Sequence, residues 1–570
     1  MRLVPLLSSI ALVVPCLLGL QPKEARAFCG FFVPSDDKPI SNDASMVALM
    51  RDGTRTVLSM SNNFKGAAKN FAMVVPVPIV LQQDDVKTLP HDVFSKLEEL
   101  TAPRLVEYWE QDPCDNPCAD VDPNDGCGMG MGYGSGMGSV GSMKKSTVTI
   151  EASFSVGEYD IVILGASESD GLEKWLHEHD YAIPEGASAA LAPYVKEQQK
   201  FFVAKVDIKK VKMDGNGVAV LSPLRIAYES ADFRLPVRLG LLNAPKTGTA
   251  PKQDLVIFVL SPDKRYDVAN YPNAFIPSNL EVTEDTKKTF GSFYAALFDE
   301  AVAKGNGRAI VTEYSWASSS CDPCPTPPLA PQDIATLGGD VLYGQAAPVA
   351  VGSKSKPISK MLGNNPMVIT RLHARYDAKS LADDLVFRAA PAITGGRESD
   401  YSGDGGKLGT GAYPSGYNNF QARYIMRHAW TGPIACKRPE RGNWGDMPLW
   451  MTKKPKPSAA TGLAAAPRGT IKLASLLKDG MPPFDLVPAG PAYDADGGVM
   501  DASDAGPAVD AATEPTTDAS FGPGGAPTVQ PVNPGSRGCG CALESRGDET
   551  SIVVAMLGGL ALLLRRRRRD

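Results

Sequence analysis

The chain has 570 residues, and its 58 lysines and arginines against 64 aspartates and glutamates give a formal net charge of -6. Hydrophobic residues make up 43% and charged residues 21%, as in soluble globular proteins. This balance excludes a polytopic membrane protein, a coiled coil, a fully disordered chain and a broadly basic protein, so no nucleic-acid partner is expected.

The first 27 residues have the pattern of a secretory signal peptide. Arg2 supplies the positive charge, Leu3 to Leu20 is almost entirely apolar, and Ala25-Arg26-Ala27 provides small residues at the cleavage positions. We therefore expect export, with signal peptidase as a partner that cleaves after Ala27. The mature chain would then fold in an oxidising compartment.

An ordered body is predicted over residues 28–450, which is enough chain for two or three hydrophobic cores. Apolar residues at helical spacing predict helices around 93–100, 172–181 and 290–298. Runs rich in β-branched and aromatic residues predict strands at 71–81, 159–164, 201–208, 218–221, 255–260, 309–316, 367–376, 385–387 and 420–428. The predicted fold class is α+β, a strand-rich mixed body.

Two helix–strand units of this body share a local pattern, in which a predicted helix is followed by Glu-Tyr, a nearby tryptophan and then Asp-Pro-Cys. The patterns occupy Leu105 to Cys114 and Val311 to Cys324. An internal duplication into two similar lobes would explain them. The shared identities are few, so chance is the simpler interpretation.

Between two predicted strands, residues 113–146 form a loop rich in cysteine, glycine and methionine, a composition that cannot pack a core. Within it Asp120, Asp122 and Asn124 place oxygen donors at alternate positions, as at the start of a calcium-binding loop. The glycine and the final glutamate of such a loop are not at their expected places. A polar turn is the alternative interpretation.

Beyond the body, residues 451–537 are rich in proline, alanine and aspartate, which predicts a disordered acidic stalk, with a helical turn near Ile471 to Leu477. Residues 538–570 contain Cys539 and Cys541, then an apolar run from Ile552 to Leu564 and five arginines. Those thirteen apolar residues would span about 20 Å as a helix, against a hydrocarbon core of about 30 Å. The tail is therefore predicted to be a short membrane segment whose arginines remain in the cytoplasm.

This tail resembles the MYXO-CTERM sorting tails of myxobacterial surface proteins, in which a cysteine motif, an apolar helix and an arginine cluster occur in that order. The resemblance covers about the last 33 residues. It implies a sorting protease as partner, processing near Cys539 or Cys541, and display at the cell surface or outer envelope. An uncleaved membrane anchor is the alternative.

The body itself resembles the uncharacterised bacterial family called domain of unknown function 2330, which implies an exported protein and carries no known reaction. The resemblance extends from residue 28 to about residue 444. The stretches that carry it are Phe28–Val33, Phe71–Pro78, Val259–Pro262, Ala269–Pro272, Ser320–Cys324, Asn419–Tyr424 and Gly432–Cys436.

Cysteines are the strongest chemical candidates of the body, and in an exported chain disulfides are their default use. The seven candidates are Cys29, Cys114, Cys118, Cys127, Cys321, Cys324 and Cys436. Because seven is odd, at least one stays free or pairs elsewhere. The working hypothesis pairs Cys114 or Cys118 with Cys321 or Cys324, and Cys29 with Cys436.

Two other uses of these cysteines stay open. Cys321 and Cys324 have the spacing of a redox pair, but the prolines that follow predict an extended loop rather than the helix N-terminus that lowers a thiol pKa. Zinc would require Cys114 and Cys118 to converge with Cys321 and Cys324.

The sequence contains no recognisable hydrolase, zinc-protease or phosphate-loop motif. Of its five histidines, His177 and His179 are predicted on an exposed helix face, and His373 and His428 are isolated and predicted to be packed or hydrogen-bonded. The preferred function is a non-enzymatic binding or structural module at the cell surface, without a cofactor and with an unidentified extracellular ligand. The alternatives are a thiol–disulfide oxidoreductase that uses Cys321 and Cys324, or a secreted hydrolase without a recognisable motif.

Overall fold

The structure is a computed structural model of the chain. It describes residues 30–34, 44–61, 71–114, 152–165, 169–207, 209–213, 219–244, 252–343, 366–397, 408–445, 458–459, 471–484 and 486–490. The signal segment, most of the inserted loop and the C-terminal tail lie outside these residues.

Helices are a minority of the described residues. They are α1 (Asp92–Thr101), α2 (Ser169–Glu178), α3 (Ala187–Lys196), α4 (Glu284–Lys288), α5 (Phe290–Lys304), α6 (Pro331–Ile334), α7 (Asp340–Leu342) and α8 (Leu473–Leu476). Short 3-10 segments occupy Gln83–Asp85 and Arg238–Asn243, and a π-helical turn occupies Ala335–Gly339. None of the helices in the described part of the chain combines the length and the apolar character that crossing a bilayer requires.

Strands form most of the regular structure. The first thirteen are β1 (Phe31–Pro34), β2 (Ala44–Asp52), β3 (Arg55–Ser61), β4 (Phe71–Val77), β5 (Val86–Thr88), β6 (Arg104–Glu110), β7 (Ser153–Val156), β8 (Tyr159–Gly165), β9 (Lys200–Val206), β10 (Lys212–Met213), β11 (Ala219–Val220), β12 (Leu224–Glu229) and β13 (Arg234–Leu235). The others are β14 (Gln253–Ser261), β15 (Arg265–Val268), β16 (Asn273–Phe275), β17 (Leu280–Glu281), β18 (Ile310–Ala317), β19 (Val368–Tyr376), β20 (Leu385–Ala390), β21 (Ile393–Gly395), β22 (Tyr413–Pro414), β23 (Asn419–Gln421), β24 (Arg423–His428), β25 (Trp444–Gly445), β26 (Ser458–Ala459) and β27 (Leu486–Val487).

The largest sheet has the strand order β22-β21-β23-β18-β19-β14-β2-β3-β12-β5. Its central strand β14 is buried at all nine positions and alternates between two cores. Leu255, Ile257 and Val259 enter the core shared with a second, five-stranded sheet of order β1-β4-β9-β8-β7. Phe258 and Leu260 face the opposite way, onto the apolar side of α1. A strand buried on both faces therefore separates two hydrophobic layers.

Helices cover both outer faces of this pair of sheets. Leu172 of α2 and Leu191 of α3 pack on the five-stranded sheet. On the large sheet, α1 packs through residues such as Leu97, and α5 packs through a separate core that includes Phe293. α5 ends at Gly305, where an added Cβ would lie 2.5 Å from the Ala309 side chain. The predicted α+β class with strand in excess is confirmed.

A C-terminal segment, which we call the strap (residues 471–490, described except for residue 485), packs against the body. Leu477 is buried in the core of α5, and Val282 forms a bridge with it. β27 pairs antiparallel with β16. The strap lies within the segment that the sequence predicts as an extended stalk from residue 451. Its apolar side chains are numerous enough to be buried against the body, so packed structure extends past residue 450.

The two similar helix–strand units have different neighbours. β6, after α1, pairs parallel with β24, which follows it in the chain, and antiparallel with β25 and β26. β18, after α5, pairs parallel with β16, which precedes α5, and antiparallel with β19 and β23. Repeated lobes would be expected to keep the same pairing. The structure therefore gives the duplication no support.

Candidate functional site

The densest group of buried charges in the described part of the chain is centred on Glu313, at the seam between α1 and α5. The register of β18 against β19 shifts between Thr312 and Tyr314, so that Glu313 is an extra residue in its strand. Its carboxylate is fully buried. It accepts hydrogen bonds from Tyr294 Oη at 2.6 Å, Arg371 Nε at 2.6 Å and His373 Nδ1 at 2.8 Å.

His373 extends this network across β19 toward β14, the neighbouring strand on the side away from β18. Its Nε2 lies 3.4 Å from an oxygen of Asp254 on β14, an electrostatic approach rather than a hydrogen bond. Asp254 also accepts from Arg375, which is partly exposed at the end of the strand. The ring of Phe298 from α5 stacks on His373 with centroids 4.0 Å apart. We call Glu313, Arg371, His373, Asp254 and Arg375 the charge network.

The charges of this network set the protonation of its members. Burial acts to raise the pKa of Glu313, but His373 and Arg371 outweigh it and lower that pKa to about 2. Burial acts to lower the pKa of His373, but Glu313 and Asp254 raise it above its usual value. Burial and the neighbouring Glu313 raise the pKa of Tyr294 well above its usual value. Folding therefore favours an ionised Glu313 beside a protonated His373.

Three arginines that are fully buried lie near one another: Arg104, Arg371 and Arg423. Arg104 Nη1 donates to Pro323 O at 2.8 Å, and its Nη2 donates to the carbonyl of Leu100 in the last turn of α1. Arg423 donates to the side chains of Asn279 at 2.9 Å and Tyr108 at 2.7 Å. Carbonyls at a helix C-terminus attract cations, which explains the position of Arg104.

Above these arginines lies the loop that contains Cys321 and Cys324, and the two cysteines are joined by a disulfide. Gln421 donates to the carbonyl of Asp322, so the loop is held from below by Gln421 as well as by Arg104. The next helix begins only at Pro331. Neither sulfur therefore lies at a helix N-terminus, as the prolines predicted.

A second disulfide joins Cys114, just after β6, to Cys436, 322 residues later in the chain. The hypothesis that Cys114 pairs with Cys321 or Cys324 is therefore wrong, as is the pairing of Cys436 with Cys29. The physical reason is the direction of β6. Arg104 at the start of this strand contacts the loop that contains Cys321, whereas Cys114 lies beyond the end of the strand, so the two cysteines are at its opposite ends. With these four cysteines in two separate bridges, the proposed zinc set does not assemble.

The remaining predicted site residues lie outside the described residues: Cys29, Cys118, Cys127, Asp120, Asp122, Asn124, Cys539 and Cys541. Among the described residues, no group of three or more His, Cys, Asp or Glu side chains is placed to hold a metal ion.

Sequence reasoning did not identify Glu313, Arg371 or Arg104 as a group. Two signals were present in the sequence. Arg371 and His373 are polar residues inside the run predicted as a strand at 367–376, and Glu313 lies inside the run predicted at 309–316, before its two aromatic residues. Both histidines of the predicted exposed face, His177 and His179, are exposed on or just after α2. The prediction that His373 is packed is confirmed.

Another polar group surrounds His428 at the end of β24. Its Nε2 lies 2.9 Å from Glu107 and its Nδ1 lies 3.2 Å from Glu284, and its ring stacks on Trp109 with centroids 4.9 Å apart. Lys287 also contacts Glu107, at 2.8 Å. These side chains tie β24, β6 and α4 together at the surface.

A cleft of about 180 Å³ lies between β17, β24 and the strap. Glu281 accepts from Lys478 of the strap at 2.6 Å and from Arg427 of β24 at 3.3 Å. The apolar part of the lining includes Ile425 and Met481. The strap therefore forms one wall of the cleft.

The comparisons with known proteins identify a family but no activity. The model of a family described as "Uncharacterized protein conserved in bacteria (DUF2330)" matches residues 23–388, more than half of the chain. No curated protein matches the chain. A solved structure, a mutated baculovirus P35 after caspase cleavage, is similar at 12% sequence identity over 39% of this chain and 68% of that chain, with a TM-score of 0.22. That score is too low to support an argument about fold or function.

Proposed function

The chain belongs to the DUF2330 family of bacterial proteins, and we propose that it is an exported protein displayed at the cell surface. In this proposal its disulfide-braced α+β body is a binding or structural module rather than an enzyme. The observation that carries the proposal is the Cys114–Cys436 disulfide, which links segments 322 residues apart. Disulfides persist in oxidising compartments and are rare in the bacterial cytosol.

The burial of the charge network supports a structural role for its residues. Glu313 and His373 have the hydrogen-bonded geometry of a base and its partner, but both side chains are completely buried and their bonding atoms face other protein groups. A substrate would need to displace α5, whose Tyr294 and Phe298 cover them. The network is better suited to fixing the helix on the sheet.

The ends of the chain supply the export and anchoring parts of the proposal. The apolar N-terminal segment ends in a small-x-small site, and the C-terminal apolar run is short and followed by arginines. A short span of this kind is suited to recognition by a sorting protease that processes the chain near Cys539 or Cys541.

The test is to locate the protein and map its disulfides in cells that produce it. Intact cells are treated with a membrane-impermeant amine label, and non-reduced peptides of the labelled protein are analysed by mass spectrometry. We expect surface labelling, an N-terminus at Phe28 and a peptide that contains Cys114 bonded to Cys436. A chain lacking residues 1–27 is the matched control and should remain unlabelled in the cytosol.

Two results would contradict the proposal in separable ways. Full-length protein in the cytosol with reduced thiols would overturn export. A surface protein that retains Arg565 to Arg569 would overturn only processing by a sorting protease and would favour an uncleaved anchor.

A second candidate function is thiol–disulfide exchange at Cys321 and Cys324. One observation favours it: the bonded pair lies in a surface loop and Cys324 is exposed. An exchange-active disulfide is reduced readily by glutathione at a redox potential like that of known oxidoreductases, whereas a structural bridge resists it. Equilibrating the Cys114→Ser/Cys436→Ser variant with glutathione and following the peptide that contains Cys321 and Cys324 by mass spectrometry isolates this pair and separates the two functions.

A further inference from the structure

We propose that Arg104, Arg371 and Tyr314 form a buried binding site for a halide-sized monovalent anion, such as chloride. The site lies at the C-terminal end of α1, beneath the Cys321–Cys324 loop. It is independent of the proposed surface function, since it follows only from the arrangement of side chains inside the body.

The three side chains are brought together by the sheet and by α1. Tyr314 on β18 lies directly opposite Arg371 on β19, so both side chains project from the same face. Arg371 Nη1 lies 3.3 Å from Thr101 Oγ1, and Arg104 Nη2 donates to Leu100, the preceding residue of α1. Arg104 Cζ is 5.9 Å from the centroid of the Tyr314 ring.

Each of the three residues has a buried donor without an acceptor. Arg104 Nε, Arg371 Nη2 and Tyr314 Oη are inaccessible to solvent and make no hydrogen bond to any described residue. Buried polar groups are nearly always hydrogen-bonded, because a group left without a partner loses its hydration without any compensating bond. Three such donors on neighbouring residues indicate an acceptor that the described residues do not supply.

The charge balance indicates that this acceptor is negative. Within the part of the chain that the structure describes, Arg371 is paired with Glu313, whereas Arg104 donates only to the backbone carbonyls of Pro323 and Leu100. Burial, with Arg371 and Arg423 nearby, lowers the pKa of Arg104 to about 10 despite some attraction from Tyr314 and Asp322. One added negative charge would offset this excess, so a monovalent ion suits the site better than a phosphate.

The two N–H donors and the phenolic O–H belong to neighbouring side chains, so one spherical acceptor bound between them would give all three a partner. The positive charges of the two guanidinium groups would repel a metal cation. A water molecule would satisfy part of the hydrogen bonding but none of the charge. The charge and the donor chemistry of the site therefore favour a halide over a metal ion or a water.

The first test measures the thermal stability of the purified full chain in chloride, in bromide and in gluconate at equal ionic strength. We expect chloride and bromide, but not gluconate, to raise Tm saturably by about 2–4 °C, a shift typical of a ligand that binds only the folded state. Equal Tm values in all three salts would overturn the proposal. In a crystal grown in bromide, an anomalous peak is expected between Arg104 and Tyr314. Its absence from a fully bromide-exchanged crystal would mean that water fills the site.

Variants then assign the effect to these residues. Tyr314→Phe removes only the hydroxyl and should weaken halide binding several-fold, and Arg104→Met should abolish the halide response. The matched control is Arg225→Met, which removes another buried arginine, one paired with Asp340 at 2.8 Å. That control should lose stability but keep the halide-dependent rise in Tm. If Arg104→Met does not fold, the halide affinity of Tyr314→Phe decides, and an unchanged affinity would contradict the assignment.

Discussion

Replacing Glu313 by glutamine is expected to destabilise the body severely. The substitution is nearly isosteric, so it leaves the packing of α5 on the sheet unchanged. It removes the negative charge that faces Arg371 Nε at 2.6 Å and His373 Nδ1 at 2.8 Å. Both cations would then be buried without their carboxylate.

The expected loss follows from the burial of the pair. Arg371 and Glu313 have side chains that are 0% exposed, so neither can be rescued by water. Removing one partner of a buried ion pair typically costs about 3–5 kcal/mol, because the other charge remains desolvated. Domains are stabilised by only about 5–15 kcal/mol, so the variant would lose a large share of that free energy.

Equilibrium unfolding in urea measures this loss. The matched control is Glu229→Gln, since the Glu229 side chain is 60% exposed beside Arg55 and should lose no more than about 0.5 kcal/mol. Adding Arg371→Met to Glu313→Gln should recover about 1 kcal/mol or more, because the uncompensated charge is then removed. A loss below about 1 kcal/mol for Glu313→Gln would refute this account of the charge network. So would a double variant whose loss equals the sum of the two single losses.

The remaining predictions concern pH, the long-range disulfide and the strap. The contribution of Glu313 should be complete above its unfolded pKa of 4.5 and be lost as the pH falls through it toward about 2. The contribution of His373 should be complete below its unfolded pKa of 6.5 and be lost as the pH rises through its raised folded value. Urea unfolding at a series of pH values should therefore show both declines, and a flat profile would contradict the protonation states. Cys436→Ser should lower the unfolding free energy by about 2–5 kcal/mol under oxidising conditions and cause no loss in excess reductant. Leu477→Ala should cost about 2–3 kcal/mol, whereas Leu486→Ala, at a residue 42% exposed, should cost about 0.5 kcal/mol or less, by the same unfolding assay.

Much of the fold could be predicted because its strands carry strong local signals. The run predicted at residues 367–376 is strand β19, and the helix predicted around 290–298 is α5. The strap was harder to predict, because its few apolar residues are separated by prolines and glycines. Its burial depends on a groove beside α5 that only the folded body provides.

The charge network and the arginine cluster could not be predicted in the same way. Glu313, His373 and Asp254 come from three strands whose order in the sheet is not encoded locally. The contact of Glu313 with both Arg371 and His373 also depends on one extra residue in β18, and no local sequence signal distinguishes that irregularity from regular strand. The disulfide partners of Cys114 and Cys321 depend on the same unknown topology.

The attachment of the strap has a mechanical consequence for any pulling force that acts on the chain beyond residue 490. Such tension would first reach the hydrogen bonds of Gly490, whose N–H donates to Ala269 O at 3.0 Å and whose carbonyl accepts from Arg388. The two-residue pairing of β27 with β16 would resist next, and Leu477 after it. Stretching would thus detach one wall of the cleft, together with the two-residue strand β27, before any other strand of the large sheet is loaded. The strap would therefore yield first and delay unfolding of the rest of the body.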